Sequence, residues 1–244
     1  MRDNLRLSAE SAGKKTDNQP HKGNKNEMIR SETDNGKVMK QQERDKATLP
    51  VMELFYSIQG EGYNTGTPAF FIRLAGCDVG CSWCDVTESW DAEKHNAIQT
   101  DEILLEVINS GAKTVVITGG EPLMYDLDEI CRKIKNKGIQ IFLETSGAYP
   151  LSGTYDWICV SPKKMKEPLP ELLSSAQELK IIVYNKSDFE WAEQNALKVR
   201  TACVLYLQPE WGRAEENTAM IIDYIKRNPK WKISLQTHKY MGIR

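Results

Sequence analysis

The chain has 244 residues, with 32 Lys and Arg against 34 Asp and Glu and a formal net charge of −2. That balance excludes a strongly basic nucleic-acid binder and gives no attraction to an anionic membrane. No run approaches the roughly 20 apolar residues that span a bilayer, and Leu5 and Leu7 stand among charges rather than in an apolar signal core, so a cytoplasmic protein is expected by default.

Residues 1–48 contain no Phe, Trp or Tyr and hold eleven Lys and Arg with eight Asp and Glu. Such a segment buries too little apolar area to offset its ordering entropy, and it reads as a disordered polar tail. The pattern changes from residue 49. Short β-branched runs predict strands at Ala69–Leu74, Thr114–Thr118, Ile139–Glu144, Trp157–Ser161, Leu179–Val183, Val204–Leu207 and Lys232–Leu235. Between them, helical periods predict helices at Thr100–Asn109, Leu127–Asn136, Asp188–Val199 and Glu215–Arg227, with Thr100 as an N-cap and Gly138 just past the second helix. This alternation predicts an α/β domain over 49–244 built on a parallel sheet. About six βα units are too few for a closed eight-stranded barrel. A partial (β/α)6-type barrel or an open α/β sheet remains, with the site on the loops after the strand C-termini.

The six cysteines fall into two sets. Cys131, Cys159 and Cys203 are isolated in apolar segments and read as small buried hydrophobes. Cys77, Cys81 and Cys84 crowd into one loop directly after the first predicted strand. Three thiolates in such a loop can hold three irons of a cubane and leave the fourth open, as a catalytic metal needs. A zinc site would want a fourth ligand, and the nearest histidine, His95, lies in a polar stretch. One βα unit later, Thr118-Gly119-Gly120-Glu121 ends a strand with two glycines, which permits close backbone approach to a ligand.

Cys77-Asp78-Val79-Gly80-Cys81-Ser82-Trp83-Cys84 resembles the signature of the radical S-adenosylmethionine superfamily, with Trp83 in the aromatic position. The resemblance implies a [4Fe–4S] cluster on the three cysteines, chelation of the open iron by S-adenosylmethionine, and reductive cleavage to a 5′-deoxyadenosyl radical. It also implies that Trp83, Cys84 and Asp85 contact that cofactor and that Gly119, Gly120 and Glu121 hold its methionine amino group.

A narrower resemblance covers nearly all of 51–244. Glu53-Leu54-Phe55-Tyr56-Ser57-Ile58-Gln59-Gly60-Glu61-Gly62, Pro68–Cys77, Ser161-Pro162-Lys163-Lys164, Leu207-Gln208-Pro209 and Gln236-Thr237-His238-Lys239 together look like the 7-carboxy-7-deazaguanine synthase family of queuosine and deazapurine biosynthesis. The resemblance implies conversion of 6-carboxy-5,6,7,8-tetrahydropterin to 7-carboxy-7-deazaguanine with loss of ammonia, S-adenosylmethionine being regenerated. It implies a pterin site at Ile58, Gln59, Gly60, Glu61, Arg73 and Thr118, joined by the terminal carboxylate of Arg244. Ser161, Pro162, Lys163 and Gln208, Pro209, Glu210, Trp211 would line the adenosyl side. A homodimer and a flavodoxin-like reductant are further expectations from the family, with neither nucleic acid nor membrane as partner.

One departure stands out. Family members usually carry Ser or Thr after Cys-Asp, where the hydroxyl helps bind magnesium; here Val86 offers no oxygen. Weak magnesium stimulation is therefore expected. Two other readings compete: an activase of glycyl-radical enzymes, which shares the cysteine spacing, and a non-catalytic iron–sulfur or zinc module. Gln59, Glu61 and Arg73 favour a small polar substrate over an activase's protein loop.

Overall fold

The computed structural model describes residues 48–244. The polar tail expected over 1–48 lies outside them apart from Thr48, which begins the first strand. The chain forms one nine-stranded sheet. β1 (Thr48–Ile58) and β2 (Pro68–Leu74) make an antiparallel hairpin, and β3 (Asn96–Gln99) pairs antiparallel with the start of β1. From β2 onward every pairing is parallel, through β4 (Thr114–Gly119), β5 (Gln140–Thr145), β6 (Trp157–Val160), β7 (Glu178–Val183), β8 (Val204–Pro209) and β9 (Trp231–Ile233). The crossovers carry α1 (Thr100–Ser110), α2 (Asp128–Lys135), α3 (Pro170–Ser175), α4 (Ser187–Ala196) and α5 (Ala214–Arg227), and α6 (Thr237–Met241) follows β9. The connection from β5 to β6 has no helix.

Period-two alternation divides the strands between two environments. Phe70, Ile72 and Leu74 of β2, with Val115 and Ile117 of β4, face the helices and join the main core with Ile103, Val107, Ile130 and Ile134. Phe71 and Arg73, with Val116 and Thr118, face the other way. There Ala69, Phe71 and Val116 form a small second cluster with Phe55 and Phe142, and the polar residues beyond it line a cavity reached from β1 through β8. The sheet thus curls around a polar interior floored by an apolar plug.

The sequence reading departs from the structure at several places. β1, β3, α3 and α6 are absent from the predicted elements. β1 carries Pro50 and mixes polar with apolar residues; β3 has four residues and α6 five, too few to show a period. Thr100 is the first helical residue rather than the N-cap, and its hydroxyl bonds Glu129 Oε1 of α2 at 3.0 Å. The apolar face expected of α1 is narrower than its sequence period, since Ile103 and Val107 are buried while Ile108 is exposed. Cys131 and Cys203 are core residues, whereas Cys159, also buried, borders the polar cavity.

Candidate active site

β2 ends at Leu74, and the chain turns at once into the cysteine loop. Backbone bonds fix this loop on both sides. Gly76 N and Cys77 N donate to the carbonyls of Ser89 and Trp90, while Gly120 N and Glu121 N donate to those of Leu74 and Gly76 at 2.9 Å each. The glycine turn after β4 is therefore laced directly onto the cysteine loop. A Cβ on Gly120 would meet Gly76 O at 2.4 Å and Cys77 Cβ at 2.8 Å, so only glycine allows this approach.

Cys77, Cys81 and Cys84 all line one cavity of about 400 Å³, together with Trp83, Gly119 and Gly120. Among the described residues no group of three or more His, Cys, Asp or Glu side chains is set to hold a single ion. A cubane asks for something else, since its thiolates sit on three different irons. His95, the histidine nearest this loop in sequence, lies against the Glu88 carbonyl at 2.9 Å and not in the cavity. Burial pushes the Cys77 and Cys81 thiols up, and neighbouring thiolates add to it, so the metal-free loop holds protons that a bound metal would displace. The donor set and the glycine cradle fit a cluster with an exchangeable position. Above the loop, Asp78 accepts from the Tyr149 hydroxyl at 2.5 Å and from Lys166 Nζ at 2.8 Å, which ties it to the loops after β5 and β6.

The opposite wall is polar and highly connected. Gln59 Nε2 donates to Glu144 Oε1 at 2.9 Å, and Thr118 Oγ1 to Glu144 Oε2 at 3.1 Å. Glu61 is ion-paired with Lys180 and accepts from Gln236 Nε2 at 2.9 Å. Burial alone would raise the Glu61 carboxyl, but the Lys180 ammonium and the hydrogen bonds outweigh it and hold the group at about 2. Arg73 Nε meets Glu53 Oε2 at 3.1 Å inside the cavity rather than on the outer surface. At the chain's end, the Ser57 hydroxyl donates to Arg244 O at 2.6 Å, and Thr237 N and Oγ1 both donate to Gly60 O, docking α6 on the β1–β2 loop.

On the third side, Lys163 Nζ donates to Ser161 O and Oγ at 2.7 and 2.6 Å and lies 5.7 Å from the Trp83 ring centre. Gln208 Oε1 accepts from Ser234, and Glu210 caps the turn carrying Trp211. Ile58, Gly60, Pro209 and Trp211 also border the cavity.

Two residues named from the sequence do not. Pro162 is buried beside the cavity. Glu121 is fully buried behind the glycine turn, where its carboxylate accepts from Leu123 N, Thr145 Oγ1, Ser146 N and Ser146 Oγ. Sequence reasoning missed Glu144 and Lys180. Lys180 stands between Leu179 and Ile181, and Glu144 follows Ile141, Phe142 and Leu143; a charge beside an apolar run was the available signal.

The model of the Radical SAM superfamily matches residues 71–168, a span holding both the cysteine loop and the glycine turn. The 7-carboxy-7-deazaguanine synthase of Flavobacterium psychrophilum is 54% identical over 195 residues, covering 80% of this chain and 92% of that protein. The chain belongs to the 7-carboxy-7-deazaguanine synthase family. The synthase of Synechocystis sp. is 48% identical, covering 81% of this chain and 94% of that one. Among solved structures, Escherichia coli QueE superposes with a TM-score of 0.70 at 32% identity, covering 79% of this chain and 95% of its own. As a member of this family the chain is a radical S-adenosylmethionine enzyme and a lyase, and the superfamily implies a [4Fe–4S] cluster with S-adenosylmethionine.

Proposed function

We propose that the protein converts 6-carboxy-5,6,7,8-tetrahydropterin to 7-carboxy-7-deazaguanine with release of ammonia, serving queuosine or deazapurine synthesis. One observation carries this reading: a single cavity sets the three cysteines opposite a wall of ordered donors and acceptors, with Arg73 beside it. Cys77, Cys81 and Cys84 would hold the cluster, and the Gly119–Gly120 backbone with Ser161, Lys163, Gln208 and Trp211 would hold S-adenosylmethionine. When bound, that group supplies hydrogen-atom abstraction from carbon.

The chain's own residues orient the pterin. An amino-pyrimidinone edge presents several N–H donors, and the ionised Glu61 with Glu144 and Gln59 offers matching acceptors. The Arg73 guanidinium spends Nε on Glu53, which leaves its two terminal nitrogens for the substrate carboxylate. Arg244, whose main-chain oxygen accepts from Ser57 and whose guanidinium lies 3.6 Å from Glu53, lines the same side. α6 adds His238 and Lys239 to the cavity wall, where they take the place of water. A polar cavity of this size favours a small molecule over the protein loop that an activase admits.

Magnesium has a small role in this reading. Val86 borders the cavity without an oxygen, and Asp85 Oδ2 already receives Lys239 and Gln236. The protein works as a cytoplasmic homodimer with an external low-potential donor of the flavodoxin kind; its six cysteines, all free thiols, suit a reducing compartment.

The decisive experiment is anaerobic reconstitution, then incubation with S-adenosylmethionine, dithionite and the carboxytetrahydropterin, with products read by mass spectrometry. Carboxydeazaguanine is the expected product. Formation of 5′-deoxyadenosine and methionine alone would discard the substrate, and no cleavage from protein loaded with four irons would overturn the radical reading.

A further inference from the structure

Strand β7 reads Glu178-Leu179-Lys180-Ile181-Ile182-Val183, and its central lysine is only 6% exposed. Removing an ammonium from water costs several kcal/mol, so a core strand retains one only where something compensates. Lys180 points into the cavity and pairs with Glu61, which the β1–β2 loop brings from 119 residues earlier. Glu144 of β5, Cys159 of β6 and Glu178 of β7 also face it, with the Lys163 ammonium opposing. Glu61 faces Asp85 and His238 as well, and Gln236 and Gln208 hydrogen-bond its carboxylate. Among the described residues, Lys180 is the cation that touches Glu61.

We propose that Lys180 is a positioning residue for the pterin: it holds Glu61 as an ionised acceptor turned toward the amino-pyrimidinone edge. This rests on the substrate proposed above. Gln236 donates to Glu61 Oε1 and Lys180 to Oε2, with Gln208 as a third donor, and a carboxylate with about four acceptor sites keeps capacity for a substrate N–H. Without the ammonium, burial acts on Glu61 against hydrogen bonds alone, and the group takes up a proton. A protonated carboxyl sets a donor against a donor, and the edge loses its partner.

The test is the affinity of reconstituted, S-adenosylmethionine-loaded enzyme for 6-carboxytetrahydropterin, measured anaerobically by calorimetry across the neutral range. Wild type and Lys180→Arg should give parallel pH profiles. Lys180→Met should bind at least about tenfold more weakly at the acid end, with the deficit changing by up to about tenfold per pH unit and shrinking toward alkaline pH. KM should rise more than kcat falls. Lys180→Met with the wild-type affinity and profile would overturn the inference. Should that variant not fold, Glu61→Gln/Lys180→Met removes both buried charges; it should match Glu61→Gln alone, and a further loss of affinity would show that Lys180 acts other than through Glu61. Wild-type enzyme that binds no pterin would instead overturn the substrate reading, and this inference with it.

Discussion

Lys239 sets its ammonium 2.6 Å from Asp85 Oδ2, joining the last helix to the residue that follows the third cysteine. Gln236 Nε2 approaches the same oxygen at 3.1 Å. That oxygen is served by protein donors, the side chain of neighbouring Val86 has no ligand atom for a hard cation, and its carbonyl already accepts from Ser89. Turnover should therefore stay within about twofold when magnesium is removed by chelation. A large drop on chelation, restored by magnesium, would show that the cation displaces Lys239.

Gly120 leaves no room for a methyl group, because the carbonyl of Gly76 and the Cβ of Cys77 occupy that space. Gly120→Ala should cost about 1–3 kcal/mol of stability through overpacking and lower the iron bound per chain. Normal iron content and melting temperature would show that the cysteine loop is free to shift. Cys77→Ala, Cys81→Ala or Cys84→Ala should each abolish S-adenosylmethionine cleavage, read as 5′-deoxyadenosine formation.

Glu121 binds the end of β4 to the end of β5 with four accepted hydrogen bonds and no exposure. Glu121→Ala leaves buried donors at Thr145 and Ser146 without partners, at about 1–3 kcal/mol for each group. A drop of several degrees in melting temperature is expected even in cluster-free protein, as is proper for a residue that shapes the turn from behind. An unchanged melting temperature would refute that structural role.

The folded Glu61 carboxyl, at about 2, lies below its ordinary value of 4.5. A group lowered on folding contributes stability that is present above the unfolded value and is lost as pH falls through the folded one. Denaturation free energy should thus decline between about pH 4.5 and about pH 2, and Glu61→Gln should flatten part of that decline. A Glu61→Gln profile parallel to wild type would contradict the assignment.

The cysteine loop and glycine turn were legible in the sequence because close packing restricts which residues fit. Spacing alone put Cys77, Cys81 and Cys84 on one loop, and the strand before Gly119 put the turn beside it. Glu121 was legible as a motif member but not in its place, since nothing in Gly-Gly-Glu-Pro tells whether a carboxylate faces the cavity or Ser146. Lys180 and Glu144 escaped because a buried charge looks like an imperfect strand until its partner is known, and Glu61 lies 119 residues from Lys180. β1 was hidden by its mixed character, one side facing the polar cavity and the other the core.

A label fused after Arg244 should raise KM for the pterin several-fold, while one fused before Met1 should not, because Arg244 lines the cavity with its main-chain oxygen held by Ser57 and an extension there would crowd it. Steady-state kinetics of the two fusions, measured side by side, decides this, and equal KM values would remove Arg244 from the substrate's surroundings.

The docking of α6 on Gly60 has a consequence for proteolysis. The main core is complete by Trp231, yet Gln236 and Lys239 reach the cavity from beyond it. A single cut after Ser234 would leave a protein that still folds and still carries its thiols, but whose reaction chamber stands open on one side. Such a nick would silence turnover without provoking aggregation, so quality control that recognises exposed core would pass the damaged enzyme as sound.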